Sequence, residues 1–443
     1  MRVRFWGTRG SIAKPGQTTL RYGGNTSCVE VRADDGTLVV LDCGTGAHGL
    51  GQALAAEHDS QRHGYLLIGH THWDHIQGFP FFAPFFNANN RWDIYAPGSR
   101  SRHLEATLVK LMSNEFFPLA LDNLSADIRF YDLMEGQFEV GSIRVTTQYL
   151  NHPALTLGYR LEVDGVTLVY ATDHEPHWLH PLELSLGHAP LHREDGRHIR
   201  FLEGADLIIH DTQYSLADFP ARTGWGHSPV ERAVDFALMA GAKQLALFHH
   251  DPNRHDEAID QLCATAQARA ATGGNGLEVF AAAEGQVITL SRATVAAPSS
   301  TVPMLSALRT PAMLEPRTVL IADADPKMRQ LLETTLQAEG ASVLAVADGK
   351  TALQLAGRER PALIFLDLQL PIYDGLTVCR MLRRMDDAYF RAIPLVVLTQ
   401  APRQKTSLVK AFKAGATDYI IKPCKPALLH ARVCAWLLRT YSA

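Results

Sequence analysis

The chain has 443 residues, of which 46% are hydrophobic and 20% are charged. This composition is typical of a globular protein, and the length corresponds to two or three domains. The formal net charge of −4 argues against a general nucleic-acid-binding protein, because contact with many phosphates needs a basic surface.

Cysteine and histidine are distributed in informative ways. The six cysteines are scattered and form no C-x-x-C pair, so the sequence predicts neither a disulfide framework nor a cysteine-based zinc site. Reduced thiols, and no signal-peptide pattern after Met1, predict a cytoplasmic protein. The longest aromatic run, residues 79–86, is too short to span a membrane. Of the 20 histidines, all but His430 precede residue 256, which indicates different chemistry in the two parts of the chain.

Strand-like runs separated by Gly and Asp follow one another through residues 1–290. They lie at 3–6, 28–31, 37–42, 65–69, 93–96, 143–147, 156–162, 167–171, 206–209, 244–248 and 287–290. The clearest helical spacing of apolar residues covers 229–240. Ser228 and Glu231 predict a capping box there, with Pro229 at the first helical position. Many strands with interspersed helices predict two sheets covered by helices.

The hexapeptide HTHWDH directly follows the apolar run at 65–69 and supplies four metal-binding side chains, those of His70, His72, Asp74 and His75. Such a loop after a strand can bind two adjacent metal ions, with zinc as the first choice and manganese or iron as alternatives. Two adjacent ions activate a water molecule as a nucleophile at neutral pH, so the motif predicts a metal-dependent hydrolase.

With this motif, residues 1–290 resemble the metallo-β-lactamase fold family, whose signature is H-x-H-x-D-H. The resemblance implies an αββα sandwich with two metal ions at one edge. It also implies three more ligands, which match His152 in LNHP, Asp173 in YATD and one of His249 and His250 in LFHHDP. We choose His249, because the family's last ligand directly follows its strand. One ion would take His70, His72 and His152, the other Asp74, His75 and His249, and Asp173 would bridge them.

Residues 227–251, HSPVERAVDFALMAGAKQLALFHHD, resemble the phosphodiesterase branch of that family, which includes tRNase Z and the cyclic-phosphate and cyclic-nucleotide phosphodiesterases. The resemblance implies that His227 acts on the phosphate with Asp211 behind it, so that Asp74, His227 and Asp211 form the catalytic set. Independently of the family, His227 precedes a predicted helix whose free N–H groups favour an anion. A protonated histidine there can bind a phosphate oxygen or protonate a leaving group.

The sequence also bears on the size and class of the substrate. No long insertion resembling a tRNA-binding arm is evident, and the chain is slightly acidic, which favours a small cyclic phosphodiester or cyclic nucleotide over nucleic acid. The alternatives are another hydrolase of this fold such as a thioesterase, a di-iron redox protein, and a ligand-binding sensor without turnover. The His-rich stretch 174–198 is expected to be mostly a solvated loop, with lining or gating of the site as the alternative.

The last part of the chain has a simpler pattern. Residues 291–316 are rich in Ala, Pro, Ser and Thr and predict a linker. Beyond it, apolar runs alternate with helical patterns, at 318–322, 343–347, 362–366, 395–398 and 418–421. This alternation predicts a parallel, doubly wound sheet over 317–443, with its active groups at the C-terminal ends of the strands.

Polar residues at those strand ends resemble a response-regulator receiver domain over 317–443. Asp367 ends ALIFLD, Thr399 ends LVVLT, Lys422 follows the fifth run and Tyr419 matches the aromatic switch position. The resemblance implies a flavodoxin-like (βα)5 fold, phosphorylation of Asp367 by a sensor histidine kinase and Mg²⁺ at the site. We expect phosphorylation to control the hydrolase, either by docking of this domain on it or by homodimer formation.

One position departs from the receiver pattern. The segment IADADP has Asp323 in the first acidic place, but Ala324 stands where the family has a direct Mg²⁺ ligand. Asp325 is the candidate replacement. The alternative is a pseudo-receiver that only mediates contacts.

Overall fold

The computed structural model describes residues 1–57, 62–99, 103–177, 192–274, 276–291, 315–400, 406–422 and 426–442. The chain divides into two compact units, one formed chiefly by residues up to 310 and the other chiefly by residues 311–443. The predicted linker, apart from its ends at 291, 315 and 316, lies outside the described residues. A search of the described part of the chain finds no helix that is both long and apolar enough to cross a bilayer.

The first unit is built on two sheets, each with seven strands among the described residues. Sheet one has the order β14-β1-β2-β3-β4-β5-β6. Its strands are β1 (Arg2–Gly7), β2 (Cys28–Arg32), β3 (Leu38–Leu41), β4 (His63–Leu67), β5 (Arg91–Pro97), β6 (Asp127–Leu133) and β14 (Val287–Thr289). Strands β3 to β6 are parallel, so their C-terminal ends lie at the same edge.

Sheet two has the order β13-β12-β11-β10-β9-β8-β7. Its strands are β7 (Gly136–Val140), β8 (Ile143–Tyr149), β9 (Leu157–Val163), β10 (Val166–Ala171), β11 (Leu207–Asp211), β12 (Gln244–Phe248) and β13 (Glu278–Ala281). Strands β10 to β13 are parallel. The two sheets contact each other directly, because the Tyr159 hydroxyl on β9 donates to the Ile68 carbonyl after β4 at 2.7 Å.

Helices cover the outer faces of the two sheets. They are α1 (Gly46–Ala56), α2 (Trp73–Ile76), α3 (Leu104–Leu111), α4 (Arg193–Leu202), α5 (Val230–Met239) and α6 (Asp256–Thr272). Helices α1 and α3 pack on sheet one in a core that includes Leu50 and Leu108. Helices α5 and α6 pack on sheet two in a core that includes Val234 and Leu262. The predicted layered arrangement of two sheets between helices is confirmed.

Three strands escaped prediction, namely β6, β7 and β13. Each of them lies at an edge of its sheet. An edge strand has one neighbour and is only partly covered, as the mixed burial of β6 and β7 shows. Its sequence therefore lacks the continuous apolar run by which a central strand is recognised.

The second unit is a parallel five-stranded sheet in the order β16-β15-β17-β18-β19. Its strands are β15 (Thr318–Ala322), β16 (Ser342–Val346), β17 (Leu363–Asp367), β18 (Leu395–Gln400) and β19 (Asp418–Lys422). Its helices are α7 (Pro326–Ala338), α8 (Gly349–Glu359), α9 (Gly375–Arg384), α10 (Ala388–Ala392), α11 (Thr406–Lys413) and α12 (Pro426–Ser442). Helices α7 and α12 share one apolar core, and α8 and α9 share the core on the opposite face. This confirms the predicted doubly wound fold.

The predicted capping box at α5 is wrong. Pro229 is the N-cap residue and makes no side-chain cap. The Ser228 hydroxyl donates instead to the His174 carbonyl at 2.6 Å, and the Glu231 carboxylate accepts from the Leu216 amide at 2.9 Å. The start of α5 is buried, so both side chains form hydrogen bonds with neighbouring loops instead of capping the helix.

Candidate active site

The metal-binding motif occupies the turn between β4 and α2. Strand β4 lies between two parallel neighbours, so its C-terminal end opens at the sheet edge where active groups collect. His70 and His72 lie in the loop, and Asp74 and His75 lie on the single turn of α2. Asp74 and His75 are buried with His70, whereas His72 is exposed.

A first cluster joins His70 and His72 to residues from sheet two. Ligand atoms of His70, His72, His152 and Asp173 all lie within 4.8 Å of one another. Nδ1 of His72 is 3.0 Å from Nε2 of His152, and Nε2 of His70 is 3.4 Å from Oδ2 of Asp173. His152 follows β8 and Asp173 follows β10, so both sheets contribute to the cluster.

A second cluster of Asp74, His75 and His249 lies on the other side of Asp173. Nε2 of His249 is 3.1 Å from Oδ2 of Asp74 and 3.2 Å from Oδ1 of Asp173. Nε2 of His75 is 3.4 Å from the same Oδ1. The two oxygens of Asp173 thus face different clusters, which is the geometry of a bridging carboxylate. His250 points elsewhere, since its Nε2 contacts the Ala282 carbonyl at 2.9 Å.

The donor set fits metal ions. Both ring nitrogens of His70 and Nε2 of His75 are buried without a hydrogen-bond partner among the described residues, although carboxylate oxygens lie 3.3 to 3.4 Å from the two Nε2 atoms. Burial lowers the pKa of His70 well below its ordinary value and that of His152 to about 3, so both imidazoles are neutral. Neutral imidazoles converging on carboxylates are the groups that zinc-like cations need.

Residues behind the two clusters hold the side chains in place. Asp42 is one such residue that the sequence analysis did not identify. Its Oδ2 lies 2.7 Å from Nδ1 of His75 and accepts from the Tyr170 hydroxyl at 2.6 Å. Gln213 Oε1 lies 3.1 Å from Nδ1 of His249. Such outer contacts fix the tautomer and orientation of ligating histidines.

Three residues of this site have a left-handed backbone conformation. Asp42, Asp173 and His249 each directly follow or lie close after a strand and adopt φ values of 58°, 57° and 60°. Side chains other than glycine rarely adopt this left-handed conformation, and its cost is tolerated chiefly at functional sites. Gly10 provides the space for one of them, because a Cβ there would lie 2.4 Å from Nδ1 of His249.

The predicted pair His227 and Asp211 lies beside the second cluster. Nδ1 of His227 is 3.0 Å from Oδ2 of Asp211, and the His227 ring stacks on that of His249 with centroids 5.0 Å apart. Burial lowers the pKa of His227, but the charge and hydrogen bond of Asp211, with smaller contributions from Asp173 and Asp74, raise it to about 9.

The expectation of a free anion site at the start of α5 is wrong. The Ser228 amide donates to Oδ2 of Asp211 at 3.1 Å, and the Val230 amide donates to the Tyr214 carbonyl at 2.8 Å. The anion at this helix end is therefore Asp211 itself.

The His-rich stretch also differs from expectation. His174, His177 and His198 are buried rather than solvated, while residues 178–191 lie outside the described residues. His174 and His198 stack at 3.9 Å, and Nε2 of His198 lies 3.0 Å from Nε2 of His210. No periodic spacing predicts this cluster, because His174, His198 and His210 come from three separate elements.

Exposed aromatic residues flank the metal clusters. Trp73 follows His72 and is 59% exposed, and Trp225 precedes Gly226 and is 56% exposed. Both are sequence neighbours of residues that contact His152, since the Gly226 carbonyl lies 2.9 Å from its Nδ1. The Arg222 guanidinium lies 5.1 Å from the centroid of the Trp225 ring. Two exposed aromatic side chains, one of them beside a guanidinium, thus lie one residue away from groups that contact His152.

In the second unit, Lys422 joins two of the predicted carboxylates. Its Nζ lies 2.6 Å from Oδ2 of Asp323 and 2.8 Å from Oδ2 of Asp367. Burial lowers the pKa of Lys422, but the hydrogen bonds and charges of both aspartates raise it above the ordinary value, so the ammonium is charged. Thr399 lies at the end of the neighbouring strand β18, and its hydroxyl donates to the Gln400 carbonyl at 3.1 Å. Tyr419 is buried on β19.

Asp325 is used by the backbone. Its Oδ1 accepts from the Lys327 amide at 2.9 Å and caps α7, while its own amide donates to Oδ1 of Asp323 at 2.9 Å. One oxygen of Asp325 is thus used to cap α7, and Asp325 stays a predicted replacement for the acid missing at Ala324. The carboxylates that adjoin Lys422 are those of Asp323 and Asp367.

Fold and site together define a two-unit α/β protein with histidine–aspartate clusters that could hold metal ions in one unit and an Asp–Lys cluster at the strand ends of the other. Residues 37–250 match the family described as Beta-lactamase superfamily domain, and residues 319–434 match the Response regulator receiver domain. The chain therefore contains a beta-lactamase-superfamily domain followed by a response-regulator receiver domain, and both predicted resemblances are confirmed at this level.

Individual relatives match part of the chain. The Probable transcriptional regulator ycf27 of Porphyridium aerugineum is 38% identical over 125 residues, which are 28% of this chain and 50% of that protein. The chain spans about half the length of such curated relatives. The metallo-beta-lactamase fold protein YhfI from Bacillus subtilis is 20% identical, with a TM-score of 0.46 over 65% of this chain and 98% of that chain. Human tRNase Z, short form, is 20% identical, with a TM-score of 0.45 over 65% and 99%.

Proposed function

We propose that the first unit is a dinuclear-metal phosphodiesterase that hydrolyses a small cyclic phosphodiester, with a cyclic nucleotide as the favoured substrate. The observation that carries this proposal is the position of His227. Its Nδ1 is held by Asp211 at 3.0 Å, and its ring adjoins those of His249 and His152, with centroids 5.0 and 5.4 Å away. A proton donor beside a dinuclear centre suits a reaction whose leaving group is an alkoxide.

The two clusters would hold the metal ions. His70, His72 and His152 would bind one, Asp74, His75 and His249 the other, and Asp173 would bridge them. Bound there, two divalent ions, with zinc as the best match to the donor set, supply positive charge for the phosphate and an activated water. Asp74 would serve as a ligand of the second ion, and the Ser11 amide holds it in place by donating to its Oδ2 at 2.7 Å.

His227 would then complete the reaction on the leaving-group side. Water adds to phosphorus, one ester P–O bond of the cyclic diester breaks, and the departing oxygen takes a proton. The contact with Asp211 commits Nδ1 of His227 to one hydrogen bond and leaves Nε2 to donate that proton. The product is a phosphomonoester with one free hydroxyl, and His227 regains its proton from solvent.

The surface beside the centre supports a nucleotide rather than a purely aliphatic diester. Trp73 and Trp225 offer exposed ring faces on which a base can stack. The side chain of Arg222 lies over Trp225 and is 36% exposed, so it can meet a phosphate or a base edge. Stacking tolerates every base, so these residues favour the nucleotide class without choosing one member.

A substrate screen tests the proposal. The metal-replete protein is assayed with 3′,5′-cyclic nucleotides, linear nucleotide diesters, acyl thioesters and β-lactams, and we expect the highest kcat/KM with a cyclic nucleotide. Turnover restricted to thioesters or lactams would contradict it. A flavin-like or di-iron redox signal would favour the redox alternative, and tight nucleotide binding without turnover would favour a sensor.

We also propose that the second unit controls the first through Asp367. A sensor histidine kinase would be the phosphoryl donor, and phosphate on Asp367 would compete with that carboxylate's contact to Lys422. Control could then act through docking or homodimer formation. Ala324 leaves the acidic set short by one ligand, so we expect phosphorylation of Asp367 to be slow.

A further inference from the structure

We propose that Glu339, His430 and Cys434 form a third cation site, which binds one zinc-like divalent ion within the receiver unit. The ligand atoms of these three residues all lie within 4.8 Å of one another. The site is separate in sequence and chemistry from the histidine–aspartate clusters, and the proposal does not depend on the phosphodiesterase activity.

The three residues are held in place by the last and first helices of the unit. His430 and Cys434 lie four residues apart on α12, which places them on one face a single turn apart. Glu339 is the residue that ends α7, and it is buried. Helices α7 and α12 share an apolar core that includes Leu336 and Val433, so the two helix surfaces that carry the ligands are fixed against each other.

The three groups lie close enough to meet at one ion once the imidazole ring rotates. Nε2 of His430 is 3.2 Å from Oε1 of Glu339, which also accepts from the Ser99 hydroxyl at 3.1 Å. Sγ of Cys434 is 3.6 Å from Nε2 and 3.5 Å from Nδ1 of His430, so ion binding requires this ring to turn one nitrogen toward the sulfur. Zinc bonds to nitrogen, oxygen and sulfur at tetrahedral angles give separations of about 3.3 Å for N to O and about 3.5 Å for N to S. The dinuclear clusters show the same range, with His–Asp separations of 3.1 to 3.6 Å.

Chemistry and access also suit a cation. Imidazole, thiolate and carboxylate are the three donor types that zinc uses in proteins, and thiolate distinguishes zinc-like ions from Mg²⁺. Binding would release the Cys434 thiol proton to solvent, so that two negative ligands neutralise the ion. His430 is half-buried, which leaves a route for the ion and for water as a fourth ligand.

The competing explanation is a protonated His430 paired with Glu339, with Cys434 as an ordinary buried thiol. Both explanations use the 3.2 Å contact. They differ in the state of sulfur, because only metal binding converts Cys434 to a thiolate ligand. A measurement that sees a metal–sulfur bond therefore decides between them.

Cobalt substitution provides that measurement. The full-length protein is stripped of metal and titrated with Co²⁺. The dinuclear clusters of the described residues contain no cysteine, so a near-ultraviolet sulfur-to-cobalt charge-transfer band reports on the third site alone. We expect this band, and one more bound Co²⁺ per chain than in Cys434→Ser, which should lose the band and keep the cobalt spectrum of the dinuclear centre.

Matched variants distinguish loss of the third site from loss of the fold. Cys379→Ser removes another buried thiol of the same unit, whose pKa burial raises to about 11, and it should keep both the band and the third ion. His430→Gln should lose the band with a far-ultraviolet circular dichroism spectrum like that of the parent. Absence of a charge-transfer band in the parent, or a band that survives in Cys434→Ser, would overturn the proposal.

Discussion

Nδ1 of His227 lies 3.0 Å from Oδ2 of Asp211, and this contact joins a residue before α5 to the end of β11. The same oxygen accepts from the Ser228 amide at 3.1 Å, so the carboxylate is held from the backbone side as well. The contact fixes which nitrogen of His227 is left for a substrate. The charge of His227 therefore depends on Asp211, which is not one of the predicted metal ligands.

Metal content should depend on His249 and not on its neighbour. In His249→Ala we expect loss of metal and at least a 100-fold loss of turnover, because Nε2 of His249 adjoins both Asp74 and Asp173. His72→Ala and Asp173→Ala should behave similarly. Metal analysis of the purified variants, together with activity, measures this.

His250→Ala is the matched control. His250 is buried like His249 but contacts the Ala282 carbonyl, so metal content should stay at the parent value. Full activity in metal-free parent protein would show that the clusters have another role.

His227→Ala should lower kcat by roughly 10²–10⁴ while metal content is unchanged, as expected for loss of a general acid. The loss should be smaller for a nitrophenyl diester, whose leaving group needs little protonation. Parallel assays on a cyclic nucleotide and on the nitrophenyl diester measure the difference. Equal losses on both substrates would point to a binding role for His227.

The pH profile should report the Asp211 contact. Asp211 raises the pKa of His227, and the protonated form is the donor, so turnover falls as the pH rises through that pKa. Asp211→Asn removes the negative charge and should lower this pKa, which moves the alkaline limb of kcat to lower pH. Asp218→Asn, at an exposed loop position, should leave the limb in place. An unmoved limb in Asp211→Asn would assign that limb to another group.

Loss of base stacking on Trp225 should raise the KM for a nucleotide substrate. Trp225→Ala should raise KM for a cyclic nucleotide roughly 5- to 150-fold, which corresponds to about 1–3 kcal/mol of stacking, and should hardly change KM for a methyl phosphodiester. Met239→Ala is the control, since Met239 is 53% exposed at the opposite end of α5. Equal effects of Trp225→Ala on both diesters would remove base stacking from the proposal.

Phosphorylation of the receiver unit should depend on position 324. Ala324 supplies no carboxylate and Asp325 caps α7, so the parent should gain phosphate from acetyl phosphate and Mg²⁺ slowly. Ala324→Asp should gain it faster, and Asp367→Asn should not gain it. Intact mass measured over time compares the three proteins. Rapid phosphorylation of the parent would show that the missing acid is compensated, and no gain in either the parent or Ala324→Asp would favour a contact-only pseudo-receiver.

The sequence by itself determined the two fold classes and the identity of most candidate ligands. Central strands are buried on both faces, so they appear as apolar runs, and the residue directly after such a run lies at the sheet edge where sites form. His70, Asp173 and Asp367 could be selected on this basis. The edge strands β6, β7 and β13 could not, because one exposed side removes their apolar signature.

Only the tertiary structure decided which groups meet. Asp42 reaches His75 across the loop after β4, and the start of α5 gives its amides to Asp211 and Tyr214 instead of to a ligand. Glu339 and Cys434 are 95 positions apart in the sequence and share no motif. Such contacts depend on how helices and sheets pack, and packing joins residues whose spacing along the chain carries no periodic signal.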